Sequence, residues 1–234
     1  MSLDPVVAQE TYRYGEHPDQ VLDFWHPDEP SDRLVILLHG GFWRPEYDRT
    51  HLSGLAALIA SGGASTALVE YRRGGGGFPA TFEDVATGID AACAIRKARE
   101  VVLVGHSAGG QLALWAAARD SRTSRPRSAI AAVVAIAPVS DLAGARAQGL
   151  GNGAVADFLG PADPPGTDPA LLTVDVPTTL IHGRRDVWVP FEMSERFVAA
   201  AGGKAQLIAL DVGHYEPIDP AEPAAKITMQ TVLG

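Results

Sequence analysis

The 234-residue chain has one cysteine, Cys93, so it can form no internal disulfide and no paired-thiolate metal site. A lone cysteine in a segment of helical pattern reads as a small core residue, and a reducing compartment suits it. No apolar run approaches the roughly 18 uninterrupted residues that a membrane-spanning helix needs. The start, MSLDPVVAQETYRYGEHPDQ, has neither the basic stretch nor the apolar core of a secretory leader. Positive charge is scarce: 19 Lys and Arg against 28 Asp and Glu leave a formal charge of −9, and no basic run exceeds two residues, as in Arg72-Arg73 and Arg184-Arg185. Such a chain offers no stripe for a phosphate backbone. Seven histidines are present, but none forms an H-E-x-x-H pair or a Cys/His cluster. The absences lead to an expected cytoplasmic protein with no nucleic-acid or membrane partner, no metal and no cofactor. They leave the oligomeric state open, a homodimer included.

Hydrophobic residues make up 46% of the sequence, enough for a sizeable core, and one domain over residues 1–234 is expected. The runs RLVILLHG (33–40), STALVEY (65–71), EVVLVGHS (100–107), AIAAVVAIAP (129–138) and TTLIHG (178–183) have strand length without period-2 polarity. Strands of this kind are buried on both faces of a parallel sheet. QVLDFWHP (20–27) alternates and suits an antiparallel edge strand, and KAQLIAL (204–210) suits the last strand. Helical spacing appears over 81–98, with Thr81 as cap, and over 107–119, 193–201 and 220–233, the last capped by Asp219 with Pro220 at its first position. This alternation predicts a doubly wound α/β sheet with helices on both faces. Two segments stand apart: the glycine-rich RRGGGGFPA (72–80), and residues 141–172, rich in Gly, Pro and Asp. The second has only a weak helix near 154–159 and is expected to form a small cover over a site.

Gly105-His106-Ser107-Ala108-Gly109 is a G-x-S-x-G elbow set between a buried strand and an amphipathic helix. It aims a serine hydroxyl out of a sharp turn, with glycines where side chains would clash. Serine needs a base held by a carboxylate, and in sheets of this kind the partners follow in the order Ser, Asp/Glu, His. Asp186 lies just beyond the run 178–183, and His214 just beyond 204–210. Asp141 is an alternative acid, whereas Asp211 reads as the end of its strand. The oxyanion that forms during attack needs backbone donors. Ala108 follows the serine, and the tandem glycines of LVILLHGGFW (34–43) turn the amides of Gly41 and Phe42 inward. His39 then braces this loop, and Trp43 and Trp188 are candidate substrate-binding residues. His106 reads as packing beneath the serine, His182 as structural, and His17, His26 and His51 as peripheral.

HGGFW, EYRRGGGGFPATFEDV, GHSAGG and GHYEPIDP together resemble the α/β-hydrolase superfamily. Within it they resemble the branch of hormone-sensitive-lipase-like esterases and kynurenine formamidases. HGGFW looks like the HGGxW signature of the formamidases; the esterases usually carry a third glycine where this chain has Phe42. The resemblance runs from about residue 20 to the C-terminus. It implies a mostly parallel central sheet with a small or absent cap, a triad of Ser107, Asp186 and His214, and an oxyanion hole of Gly41, Phe42 and Ala108. The expected activity is hydrolysis of a small-molecule ester or aryl-formamide-type amide through an acyl-enzyme. The alternatives are an inactive small-ligand-binding protein of the same fold, or acyl transfer or peptidase action by the same triad.

Overall fold

Alternate residues of the aliphatic run Arg33–Leu38 enter two different cores: Leu34, Ile36 and Leu38 one, Val35 and Leu37 the other. A strand covered on both faces has no solvent side, which is why the run lacks polar alternation. In the computed structural model, which describes residues 3–120, 130–161 and 163–234, this strand lies inside an eight-stranded sheet. Ala129, the first residue of the expected run 129–138, lies outside the described residues, as does Ala162 within 141–172. The strands are β1 (Glu10–Arg13), β2 (Val21–Trp25), β3 (Arg33–Leu38), β4 (Ser65–Val69), β5 (Glu100–His106), β6 (Ile130–Ile136), β7 (Thr178–Gly183) and β8 (Ala205–Leu210). Their order is β1-β2-β4-β3-β5-β6-β7-β8, antiparallel at β1/β2 and β2/β4 and parallel elsewhere.

Helices α1 (Ser53–Ser61) and α7 (Pro223–Leu233) cover one face, packing Leu55, Ile59 and Val232 on Val35 and Leu37. The other face takes α2 (Phe78–Ile95), α3 (Ala108–Asp120), α4 (Leu142–Ala147), α5 (Leu150–Leu159) and α6 (Phe191–Ala200), which contribute Val85, Leu112, Ala145, Phe158 and Met193 to the core of Leu34, Ile36 and Leu38. The mostly parallel sheet with helices on both faces is thus present. Among the described residues, no helix is long and apolar enough to cross a membrane.

Several local expectations shift. The run at 20–27 is antiparallel but not an edge, because β1 pairs outside it and all five residues of β2 are buried. The polar residue that gave it an alternating look, Asp23, accepts hydrogen bonds from the Thr11 hydroxyl at 2.6 Å and Arg49 Nε at 2.6 Å. Helix α2 begins three residues before Thr81, with Pro79 in its first turn, and the Thr81 hydroxyl donates to the Arg72 carbonyl at 2.6 Å instead of capping. Helix α7 begins at Pro223 rather than Pro220, and Asp219 instead accepts from the Ala221 amide at 3.0 Å in the preceding turn. Strand β1 and helix α1 had no visible signal. The first is short and mostly exposed, and SGLAALIAS is apolar around most of its circumference.

The excursion 141–172 is largely ordered as α4, α5 and a 3₁₀ turn at Pro169–Leu171. Gly151, Asn152 and Gly153 have left-handed φ of 59°, 56° and 80°, so the regular part of α5 begins near Ala154, where the helical pattern starts. Its anchor is Phe158, which stacks on Trp43 with ring centroids 4.7 Å apart and planes within 3°. Arg44 Nη2 donates to the Gly151 carbonyl at 2.6 Å, and the Gly76 amide to the Asp157 carbonyl at 2.7 Å. Replacing Phe158 with Ala should therefore cost about 3–5 kcal/mol in urea unfolding, the usual range for a buried aromatic. An unchanged midpoint would show that the excursion is not part of the core.

Candidate active site

Ser107 stands between β5 and α3 with φ 58°, a left-handed conformation that a non-glycine residue adopts at a cost of about 1–3 kcal/mol. The flanking glycines make the turn sterically feasible. A Cβ on Gly105 would lie 2.1 Å from the Gly109 carbonyl oxygen, and one on Gly109 2.1 Å from that of Leu38. The turn is latched to β6, since the Ser107 amide donates to the Ile136 carbonyl at 2.8 Å.

Asp186 sits beyond the end of β7 with its carboxylate fully enclosed by donors. His182 Nε2 donates to Oδ2 at 3.1 Å and His214 Nδ1 at 2.6 Å, while the amides of Trp188 and Val189 donate to Oδ1 at 2.8 and 2.9 Å. Burial alone would raise this carboxyl, but the hydrogen bonds from His182 and His214 outweigh it and hold it well below the usual range. Because Nδ1 of His214 carries the donated proton, its Nε2 is left as the basic atom. The loop bearing His214 lies directly on the end of β7: a Cβ on Gly183 would be 2.3 Å from the Val212 oxygen and 2.4 Å from that of Gly213. His182 is itself fixed by the Ser194 hydroxyl, which donates to its Nδ1 at 2.7 Å.

The loop after β3 is left-handed at Gly41 (φ 108°), Phe42 (φ 52°) and Trp43 (φ 54°). Gly40 passes over the elbow so closely that a Cβ there would be 2.9 Å from Cβ of Ser107. His39 holds the loop: Nδ1 donates to the Gly40 carbonyl at 2.8 Å, Nε2 lies 2.9 Å from Glu70 Oε1, and the ring stacks on Tyr71 at 4.3 Å. Glu70, 2% exposed at the end of β4, also accepts from the amides of Tyr71 and Arg49 at 3.0 Å each and from Arg73 Nη1 at 2.6 Å. Burial would raise its carboxyl, but His39, Arg73 and the Arg49 amide outweigh it and hold it down at about 2.

These elements meet at a cleft of about 110 Å³ bordered by Gly41, Phe42, Ser107, His214 and Trp188. Of the residues singled out from sequence, the structure brings those five together, with Asp186 directly behind His214. Ala108 is buried at the start of α3, next to Ser107. Trp43 does not reach the cleft. It is 1% exposed, stacked on Phe158, with Nε1 donating to Gln111 Oε1 at 3.2 Å, so it is a core residue behind Phe42 rather than a substrate wall. Asp141 caps α4 through the Gly144 amide at 2.7 Å and pairs with Arg196, away from His214. No described residue of 141–172 borders the cleft; the segment backs Phe42, and a Cβ on Gly151 would fall 2.7 Å from that ring. A larger cavity of about 450 Å³ lies between α6 and residues 169–174 and shares no lining residue with this cleft.

Sequence reading missed five residues here, among them Leu3, which borders the cleft. His51 is not peripheral: it borders the cleft, as do Tyr47 and Tyr215, and its ring lies 5.9 Å from that of His39 and 6.4 Å from that of His106. Glu70 carried one signal, an acidic residue at the inner end of an apolar strand followed by two arginines. A buried carboxylate requires such partners. Among the described residues, no group of three or more His, Cys, Asp or Glu is arranged to hold a metal ion.

A family model for the alpha/beta hydrolase fold matches residues 35–160. An acetyl-hydrolase of Streptomyces hygroscopicus is 32% identical over 151 residues, which span 58% of this chain and 48% of that protein. The matched part is thus about half the length of that curated relative. Among solved structures, esterase B from Lactobacillus rhamnosis is similar with a TM-score of 0.81 at 18% identity, over 98% of this chain and 86% of that one. An esterase/lipase from an uncultured bacterium has a TM-score of 0.75 at 21% identity, over 98% and 82%. At these identities the structural likeness is one of fold.

The charged Glu70 contributes stability that is fully present above its ordinary value of 4.5 and is lost as pH falls toward about 2. Glu70→Gln should therefore cost about 3 kcal/mol near pH 7, the range for breaking a buried ion pair. The gap to wild type should narrow as unfolding is measured at successively lower pH between 4.5 and 2. A gap that stays constant over that interval would contradict the assignment.

Proposed function

Since the chain belongs to the alpha/beta hydrolase fold family, we propose that it is a serine hydrolase cleaving a small carboxylic ester or aryl-formamide-type amide through an acyl-enzyme. One observation carries this reading: a serine on a left-handed elbow shares a cleft with a histidine whose Nδ1 is bonded at 2.6 Å to a buried carboxylate. Ser107 Oγ attacks the substrate carbonyl while His214 Nε2 takes its proton. Asp186 keeps the imidazole in the required tautomer and stabilises its charged form. The amides of Ala108, Gly41 and Phe42 receive the developing oxyanion. His214 then returns the proton to the leaving oxygen or nitrogen, and water repeats the sequence in reverse to free the acid.

The small cleft, with Phe42 and Trp188 at its border, supports a short acyl group and an apolar or aryl partner. The acetyl-hydrolase relative supports the short acyl group, and the HGGFW stretch supports the formamide option.

Ser107→Ala should lower kcat on p-nitrophenyl acetate by about 10⁴-fold or more, and Asp186→Asn by about 10⁴-fold through the wrong His214 tautomer. Full activity in Ser107→Ala would overturn the triad. Failure of a fluorophosphonate probe to label the folded wild type would instead favour a ligand-binding role. A comparison of kcat/KM on short-chain esters, long-chain esters and N-formylkynurenine assigns the substrate class; long-chain esters should be the poorest of the three.

A further inference from the structure

We propose that the cleft beside Ser107 has a second, proton-accepting wall, made by Nε2 of His51 and Nδ1 of His106, which selects substrates bearing a hydroxyl or N–H group over plain alkyl ones. The inference rests on the hydrolase reading for the fate of the bound molecule.

His51 lies on the 3₁₀ turn Arg49–Leu52, where its Nδ1 is 2.7 Å from the carbonyl oxygen of Asp48. A carbonyl can only accept, so Nδ1 holds the proton and Nε2 presents a lone pair. His106 is oriented the opposite way: its Nε2 is 3.1 Å from the His214 carbonyl and must donate, which leaves Nδ1 as the acceptor. That Nδ1 is buried and has no hydrogen-bond partner among the described residues, although His106 borders the cleft. His51 borders the same cleft, with its ring 6.4 Å from that of His106.

An orphaned buried acceptor is destabilising, and nothing in acyl transfer uses this one, since His214 is the base and Ser107 the nucleophile. Both rings are held uncharged at neutral pH. Burial and then the neighbouring His39 push His51 down to about 4, and burial followed by the imidazoles of His214 and His51 pushes His106 well below its ordinary value. An uncharged imidazole whose proton is committed elsewhere can only accept through its other nitrogen. An alkyl group against this wall leaves both lone pairs unpaired, and an ester or ether oxygen adds repulsion. An O–H or N–H donor removes the penalty. Sites built to hydrogen-bond a substrate hydroxyl discriminate strongly against the analogue that lacks it.

The test uses Ser107→Ala protein, which binds without turnover, and two isosteric pairs that differ by hydroxyl against methyl. These are 2-hydroxyethyl butyrate against propyl butyrate for the leaving-group side, and methyl 3-hydroxybutyrate against methyl 3-methylbutyrate for the acyl side. Calorimetry should give a Kd at least tenfold lower for the hydroxylated member of one pair, and adding His51→Phe or His106→Phe should bring that ratio to within threefold. Equal affinities in both pairs mean that only a water occupies the wall, and they overturn the proposal even if neither histidine variant folds. A ratio that survives in both variants overturns it as well. Turnover and fluorophosphonate labelling of the wild type are measured separately, so that failure of the hydrolase reading is distinguishable from failure of the wall.

Discussion

The buried carboxylate of Glu70 is the point through which the end of the sheet that carries the candidate site is assembled. It receives His39 from the loop after β3, the Tyr71 amide and Arg73 guanidinium from the chain after β4, and the Arg49 amide from the turn that carries His51. Two connections that leave different strands, the one after β3 at both its ends and the one after β4, are thereby tied to one charge. A group so deeply enclosed is tolerable only because every approach to it is a donor, and that requirement fixes where each loop can run. The strained backbone at Gly41 and Phe42 is held from this side by His39, and from the opposite side by the left-handed turn of α5.

A second constraint is steric. At the elbow, at the crossing of Gly40 over Ser107, and at Gly183 beneath the His214 loop, backbones approach so closely that no Cβ fits. These approaches bring the ends of β3, β5, β7 and β8 within reach of a single small molecule. The glycines thus allow Ser107 to share one cleft with an imidazole hydrogen-bonded to a buried carboxylate.

What could be read from the sequence follows from how local each signal is. The buried parallel strands, the elbow and the order of Ser107, Asp186 and His214 were legible because each is a short pattern with its own steric or hydrophobic logic. Strand β2 was legible as antiparallel but misjudged as an edge, because Asp23 looked solvent-facing while its partners, Thr11 and Arg49, lie far along the chain. Trp43 was misplaced for the same reason: what buries it, Phe158, is more than a hundred residues away and belongs to a segment whose left-handed start obscures its packing. His51 was overlooked because nothing in its neighbours marks it; only the folded chain sets it against His106.

The left-handed pair Phe42 and Trp43 has one further meaning. Neither residue favours that conformation, and each is kept in it by an aromatic or backbone surface supplied from α5. The five letters HGGFW therefore do not encode a shape by themselves. Grafted onto another sheet without a Gly151 and a Phe158 behind them, they would relax to ordinary backbone and aim their amides elsewhere. The motif is better understood as the visible half of a two-part mould, whose other half is written in a stretch that looks, in sequence, like a loop.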